Sequence, residues 1–152
     1  MNGDEEMMEE IEIRTVTKGD LAAIQEIEQA SFKDPYPKAF MDFLYHMNKN
    51  TFLVAEKKGK IIGYIIASDE GGMGHIIAIA IQQSERRKHV GLKLMERVIE
   101  IFKELKITMI RLEVRKSNID AQKFYDTLGF NYSYTIDGYY GDEDGLVYYK
   151  HL

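Results

Sequence analysis

G-H-I-I-A-I-A-I-Q-Q-S-E-R-R-K-H-V-G-L-K-L-M, Gly74 to Met95, joins three patterns in one run. Gly74 to Ile81 is apolar on both alternating faces, which predicts a central strand covered from both sides. A charged turn follows, with Arg86, Arg87 and Lys88 just before a single glycine, Gly91. Val90, Leu94, Val98, Phe102 and Leu105 then recur at helical spacing and predict an amphipathic helix. A buried strand that runs through a short basic turn into a helix presents unpaired N–H groups and partial positive charge, a natural anion site. Lys93 adds a fourth cation nearby. The bland alternative is a solvated charge run, the usual meaning of such a cluster. With one glycine in the turn, neither a Walker loop nor a dinucleotide G-x-G-x-x-G is present.

Upstream, Ile11, Ile13 and Val16 are spaced as a first strand, and K-G-D at Lys18 to Asp20 supplies a turn and a helix cap. Leu21, Ile24, Ile27, Ala30 and Phe32 follow a helical period until D-P-Y-P, residues 34–37, interrupts it. A second short helix runs from about Lys38 to Met47, with Phe40, Phe43, Leu44 and Met47 on one side. T-F-L-V-A-E and I-I-G-Y-I-I-A-S, joined by K-K-G-K, read as a hairpin. Downstream, M-I-R-L-E-V-R, Met109 to Arg115, is a strand. S-N-I-D-A-Q-K-F-Y-D-T-L is a helix capped by Ser117 or Asn118 and ended by Gly129. Two aromatic strands, near Phe130 to Ile136 and Leu146 to Lys150, follow. Helices alternating with a mixed sheet predict an α/β or α+β sandwich.

The 152 residues, 45% of them hydrophobic, suit one domain with a real core. The net charge of -5 comes from Asp4, Glu5, Glu6, Glu9 and Glu10 alone, so the rest of the chain is formally neutral and demands no nucleic-acid partner. Residues 1–10 read as an acidic flexible leader and 11–152 as a single domain. With no cysteine, there is neither a disulfide framework nor a thiolate nucleophile, which suits a reducing interior. No apolar run approaches the ~20 residues of a membrane span, and the acidic start lacks a secretory signal's basic region. A cytoplasmic protein without membrane partner or metal site is expected.

R-R-K-H-V-G-L-K-L-M resembles the acyl-coenzyme A signature of the GNAT N-acetyltransferases, Q/R-x-x-G-x-G/A. Arg86 stands at the first place, His89 where the first glycine is usual, and Gly91 at the second. L-E-V-R-x-S-N-x-x-A-x-x-F-Y-x-x-x-G-F, Leu112 to Phe130, is similar to the second half of the same family. G-Y-Y-G-D-E-D, Gly138 to Asp144, resembles its tyrosine-rich C-terminal loop. Within the family the chain is most similar to RimI-like and archaeal NatA-like protein N-terminal acetyltransferases. The resemblance implies a GNAT fold, a mixed sheet of about seven strands splayed at strands 4 and 5 and flanked by four helices. It implies acetyl-CoA as cosubstrate, its pantetheine arm pairing with the backbone of Ile79, Ala80 and Ile81 and its pyrophosphate meeting the N–H groups of Arg87, Lys88, His89, Val90 and Gly91. Arg86, Leu92, Lys93, Asn118 and Tyr125 complete the implied cofactor set. At His89 a Cβ limits positive φ; either the turn tolerates the side chain or the imidazole contacts phosphate.

Acetyl transfer from a thioester to an amine needs an uncharged nucleophile, a stabilised oxyanion and a proton for the departing thiolate. The resemblance implies Glu113 as base and Tyr125 as acid, with His75 a second candidate base and the Ile81 N–H an oxyanion donor. The bland alternatives are a salt bridge from Glu113 to Arg111 or Arg115, a core aromatic at Tyr125 and a structural histidine at His75. Phe32, Asp34 and Tyr36 in the first aromatic loop, with Tyr139 and Tyr140 in the second, are implied to wall the acceptor slot. The acceptor is expected to be a protein or peptide N-terminus; association with the ribosome is compatible with that, and the enzyme is expected as a monomer or weak homodimer. A lysine or small-amine acceptor, or a noncatalytic acyl-CoA sensor or adaptor, are the alternatives.

Overall fold

The computed structural model describes residues 10–152. Of the acidic leader it therefore includes Glu10 alone, which pairs with Lys58 at 3.5 Å. Seven strands form one sheet in the order β1-β2-β3-β4-β5-β7-β6. They are β1 (Ile11–Thr15), β2 (Phe52–Lys57), β3 (Lys60–Glu70), β4 (Met73–Ile81), β5 (Met109–Arg115), β6 (Asn131–Ile136) and β7 (Gly145–His151). Four helices intervene: α1 (Leu21–Ser31), α2 (Lys38–Met47), α3 (Val90–Glu104) and α4 (Ile119–Thr127). β1 with β2, β2 with β3, β5 with β7 and β6 with β7 pair antiparallel, whereas β4 and β5 run parallel. That parallel ladder holds only Gly74 to Ile76 against Ile110 to Leu112, although both strands run on beyond it. The GNAT fold implied by the motifs is the fold present, including a β4–β5 ladder that stops early. Among the described residues no helix is long and apolar enough to cross a membrane.

The chain gathers into two compact units, one of residues up to Ser68 with Ala78–Ile101 and one of Asp69–Ile77 with Phe102–Leu152. In the first, Phe52 to Ala55 are all buried without alternation, as expected of a strand covered on both faces. Lys58 and Gly59, both at positive φ, make the two-residue turn into β3 that K-K-G-K predicted. Asp20 departs from the sequence reading. It gives α1 no side-chain cap; its carboxylate turns back to accept from the Thr17 N–H at 2.8 Å and pairs with Arg14 at 2.8 Å. α2 has the expected bounds, but it buries Met41 and Leu44 and leaves Phe40, Phe43 and Met47 exposed. The stripe on α3 is buried from Val90 through Phe102, while Leu105 lies past the helix end and is exposed.

The second unit is built on β5, whose M-I-R-L-E-V-R alternates without exception: Ile110, Leu112 and Val114 are buried, Arg111, Glu113 and Arg115 point to the other face. β7 pairs with it over its whole length, Glu113 opposite Val147 and Arg111 opposite Tyr149. Asn118 caps α4 by accepting from the Ala121 N–H at 3.2 Å, and Gly129 at φ 85° ends it.

Candidate active site

Period-two geometry explains the central cluster of the second unit. Arg111 and Glu113 share the polar face of β5, and His75 sits opposite Arg111 in the parallel register. The Nε2 of His75 lies 2.8 Å from Glu113 Oε1, Arg111 Nε donates to Glu113 Oε2 at 3.1 Å, and the Tyr139 hydroxyl donates to Oε1 at 3.2 Å. Burial alone raises the Glu113 pKa, but the imidazole and the guanidinium outweigh it and hold the carboxyl below its usual range. A carboxylate has about four lone-pair positions. Among the described residues two on Oε1 and one on Oε2 are taken, which leaves one on Oε2 for a water or an amine. Of the two arginines the bland reading offered, Arg111 does pair with Glu113; Arg115 instead binds Asp142 and Glu143 at 2.9 and 3.0 Å.

Tyr125 stands apart from that network. Its ring is buried among Phe124, Phe130 and Tyr148, at centroid distances of 5.5, 5.8 and 6.5 Å. Burial pushes its hydroxyl well above the ordinary tyrosine value, so the oxygen keeps its proton. No hydrogen bond to that hydroxyl occurs among the described residues, which leaves the proton for an incoming acceptor.

The loop between β6 and β7 is stitched down. Gly138 N–H donates to Asp144 Oδ1 at 2.9 Å, Ser117 N–H and hydroxyl donate to Glu143, and the Arg115 guanidinium lies 4.4 Å over the Tyr140 ring. Tyr139 and Tyr140 stack edge to face at 4.9 Å, and Gly145 leaves room for Tyr139, since a Cβ there would fall 2.9 Å from the Tyr139 Cβ. Tyr139 thereby reaches Glu113.

In the first unit the strand, turn and helix of the anion-site reading come together. Arg87 and His89 both have φ of 64°, between neighbours with negative φ. Two left-handed residues within three positions give this turn the φ alternation found in anion-binding backbone nests. The position where glycine is usual thus does require positive φ, and His89 adopts it, as histidine does more readily than most side chains. Arg86 ties the end of β4: its Nε donates to the Ile81 carbonyl at 3.0 Å. Lys88 lies 3.5 Å from Glu85, itself paired with Lys57. Gly63 on β3 permits the packing, because a Cβ would lie 2.7 Å from Ile81 Cδ1 and 3.1 Å from the Ala80 carbonyl oxygen. The nest, the N-terminus of α3 and the local cations suit a pyrophosphate.

The first aromatic loop is held by a device that the sequence did not announce. Gln25 and Glu28, one turn apart on α1, clasp Tyr36 from both sides of its backbone: Gln25 Nε2 donates to its carbonyl at 2.8 Å and its N–H donates to Glu28 at 3.0 Å. Glu28 is 2% exposed and accepts a short bond from the Tyr64 hydroxyl. Burial pushes the Glu28 carboxyl up, against the pull of these donors. Phe32 and Tyr36 are half-buried and Asp34 is exposed.

Residues 21–130 match the GNAT acetyltransferase family. An uncharacterised N-acetyltransferase of Methanocaldococcus jannaschii is 36% identical over 91% of this chain and 90% of its own. An N-alpha-acetyltransferase of Sulfurisphaera tokodaii is 30% identical over 91% of each chain. The crystal structure of Ard1 from Thermoplasma volcanium superposes with a TM-score of 0.91 over 94% of this chain and 98% of that one, at 26% identity. With residues 21–130 matching that family and relatives of 30% identity or more aligned over nine-tenths of the chain, the protein belongs to the GNAT family and is an acetyl-CoA-dependent N-acetyltransferase.

Proposed function

We propose that the acceptor is the α-amino group of a protein or peptide. The observation that carries this reading is the crowding of Glu113. Three donors already hold that carboxylate, and a carboxylate so stabilised is a weak base. An α-amine, with a pKa near ~8, is neutral about one time in ten near neutral pH, whereas a lysine near ~10.4 is neutral less than one time in a thousand. A weak base acting through a water on the vacant Oε2 position suits the first amine. The relatives named N-alpha-acetyltransferase support the same choice.

In this reading the N–H groups from Arg87 to Gly91, with Leu92 and Lys93 behind them in α3, hold the pyrophosphate, and the backbone of Ile79 to Ile81 pairs with the pantetheine arm. Asn118 flanks the cofactor. Glu113 takes the amine proton, and Tyr125 gives its hydroxyl proton to the thiolate as the C–S bond breaks and the C–N bond forms. Phe32, Asp34 and Tyr36 of the first aromatic loop, and Tyr139 and Tyr140 of the second, are the acceptor-binding residues of this reading. Thiol release measured with a panel of free N-terminal peptides, beside lysine peptides whose N-termini are blocked, tests it. Turnover on the free N-termini is expected; turnover confined to the blocked lysine peptides overturns it.

A further inference from the structure

One carboxylate beside the site has no part in the scheme above. Glu70 ends β3, and Gly71 and Gly72, at φ of 68° and 92°, make a two-residue turn closed by the Gly72 N–H donating to Asp69 Oδ1 at 2.9 Å. The turn folds Glu70 back along the start of β4, where its Oε2 lies 2.7 Å from His75 Nδ1. The other ring nitrogen is the one 2.8 Å from Glu113. Arg111 closes the figure, with Nε on Glu113 at 3.1 Å and a terminal nitrogen 3.4 Å from Glu70. The groups that face His75 are thus Glu70 from β3 and Glu113 with Arg111 from β5; behind them Tyr139 donates to Glu113, and Tyr149 of β7 stands opposite Arg111.

An ionised carboxylate only accepts hydrogen bonds. Both imidazole nitrogens face one at short distance, and both contacts are hydrogen bonds only if both nitrogens carry hydrogen. A neutral ring would turn a lone pair toward a carboxylate oxygen at one end. It would also leave two anions against one cation, whereas the imidazolium balances Glu70 and Glu113 against His75 and Arg111. Burial opposes a charged ring here, yet the two carboxylates outweigh it and raise the His75 pKa. The side chain of Glu70 is 44% exposed and that of His75 15%, so the ring is enclosed while its outer partner meets solvent.

We propose that Glu70 is a positioning residue for acetyl transfer: by occupying His75 Nδ1 it keeps the ring a doubly donating imidazolium, with no lone pair to act as a base, and so fixes Glu113 as the acceptor of the amine proton. The inference rests on the reading that Glu113 activates the amine. It also assigns roles within the pair, since His75 becomes a fixed cation that orients Glu113 and not an alternative base.

The test is 15N NMR of the His75 ring in the full chain, without substrates, followed across pH in the wild type and in Glu70→Gln, with kinetics on the same proteins. Both ring nitrogens of the wild type are expected to be protonated near neutral pH, with a titration midpoint above the ordinary histidine value. In Glu70→Gln the midpoint shifts down and the ring becomes neutral near neutral pH. The variant is expected to lose about tenfold or more in kcat with little change in KM for acetyl-CoA, and Glu70→Asp to recover part of the loss. A wild-type ring that is neutral near neutral pH overturns the proposal, whether or not any variant folds. So does a Glu70→Gln protein whose ring state changes while kcat does not. If the ring behaves as expected but turnover occurs only on lysine peptides, the acceptor reading fails and the Glu70 device, judged by kcat on that acceptor, stands.

Discussion

At Tyr125 a single oxygen separates two roles. The ring packs among three aromatics and the hydroxyl bonds to none of the described residues, so Tyr125→Phe removes a proton source and leaves the packing as it is. The expected result is a fall in kcat of about 10- to 100-fold, with KM for acetyl-CoA and Tm nearly unchanged; steady-state kinetics beside a thermal melt read both, and wild-type kcat would remove Tyr125 as the acid. His89 poses the converse question. A side chain at φ 64° carries a backbone cost of roughly 1 kcal/mol that glycine does not. His89→Gly should therefore leave acetyl-CoA affinity by calorimetry within about twofold; a tenfold loss means the imidazole itself holds phosphate. Glu113, Tyr125 and His89 could be singled out in the sequence because motif spacing marks them. Glu70 could not, because its link to His75 runs through a Gly-Gly turn and a side-chain contact. S-D-E-G-G-M-G-H held the signal, two glycines between strand patterns, but the hairpin had to be recognised before the two residues could be placed on one face.

Among the elements, the strand–turn–helix from β4 to α3 depends on a glycine in a different strand. The Cβ of Gly63→Ala would press on Ile81 Cδ1, which can move, and on the Ala80 carbonyl, which is backbone and cannot move without disturbing β4. A loss of about 1–3 kcal/mol in urea unfolding is expected, with weakened acetyl-CoA binding because the displaced segment leads into the nest. Undiminished binding would mean that the nest is set by Arg86 and the turn alone. Most elements could be read from period and punctuation: K-K-G-K as a turn, β5 by strict alternation, α4 by Asn118 and Gly129. The misreadings share a cause. Asp20 looks like a helix cap, but Arg14, a strand away, competes for its carboxylate. The aromatic stripe of α2 looks like its buried side, yet Met41 and Leu44 fill that place. Neither outcome shows in the local pattern: Arg14, six residues back, takes the Asp20 carboxylate, and α2 turns Met41 and Leu44 inward.

At the scale of the whole molecule, the ionisation of the Glu113–His75 pair contributes to how stability depends on pH. Glu113 has a lowered pKa in the folded chain, so its contribution is present above the ordinary glutamate value of 4.5 and is lost as pH falls through the folded value. His75 has a raised pKa, so its contribution is complete below the ordinary histidine value of 6.5 and is lost as pH rises through the folded one. Both are in full effect only between those two limits. The Tm difference between wild type and Glu113→Gln should therefore be widest in that window, worth about 1–2 kcal/mol or roughly 2–8 °C for a chain of this size. On the acid side the difference closes, because a protonated glutamate and a glutamine offer His75 much the same partner. On the alkaline side it narrows without vanishing, because Arg111, charged throughout, still pairs with Glu113 after the imidazolium is gone. Melting curves in steps across acid and neutral pH measure this directly. A gap that keeps widening above the histidine range would show that the pair is not an ion pair in the folded protein and that Glu113 draws its stabilisation from Arg111 alone.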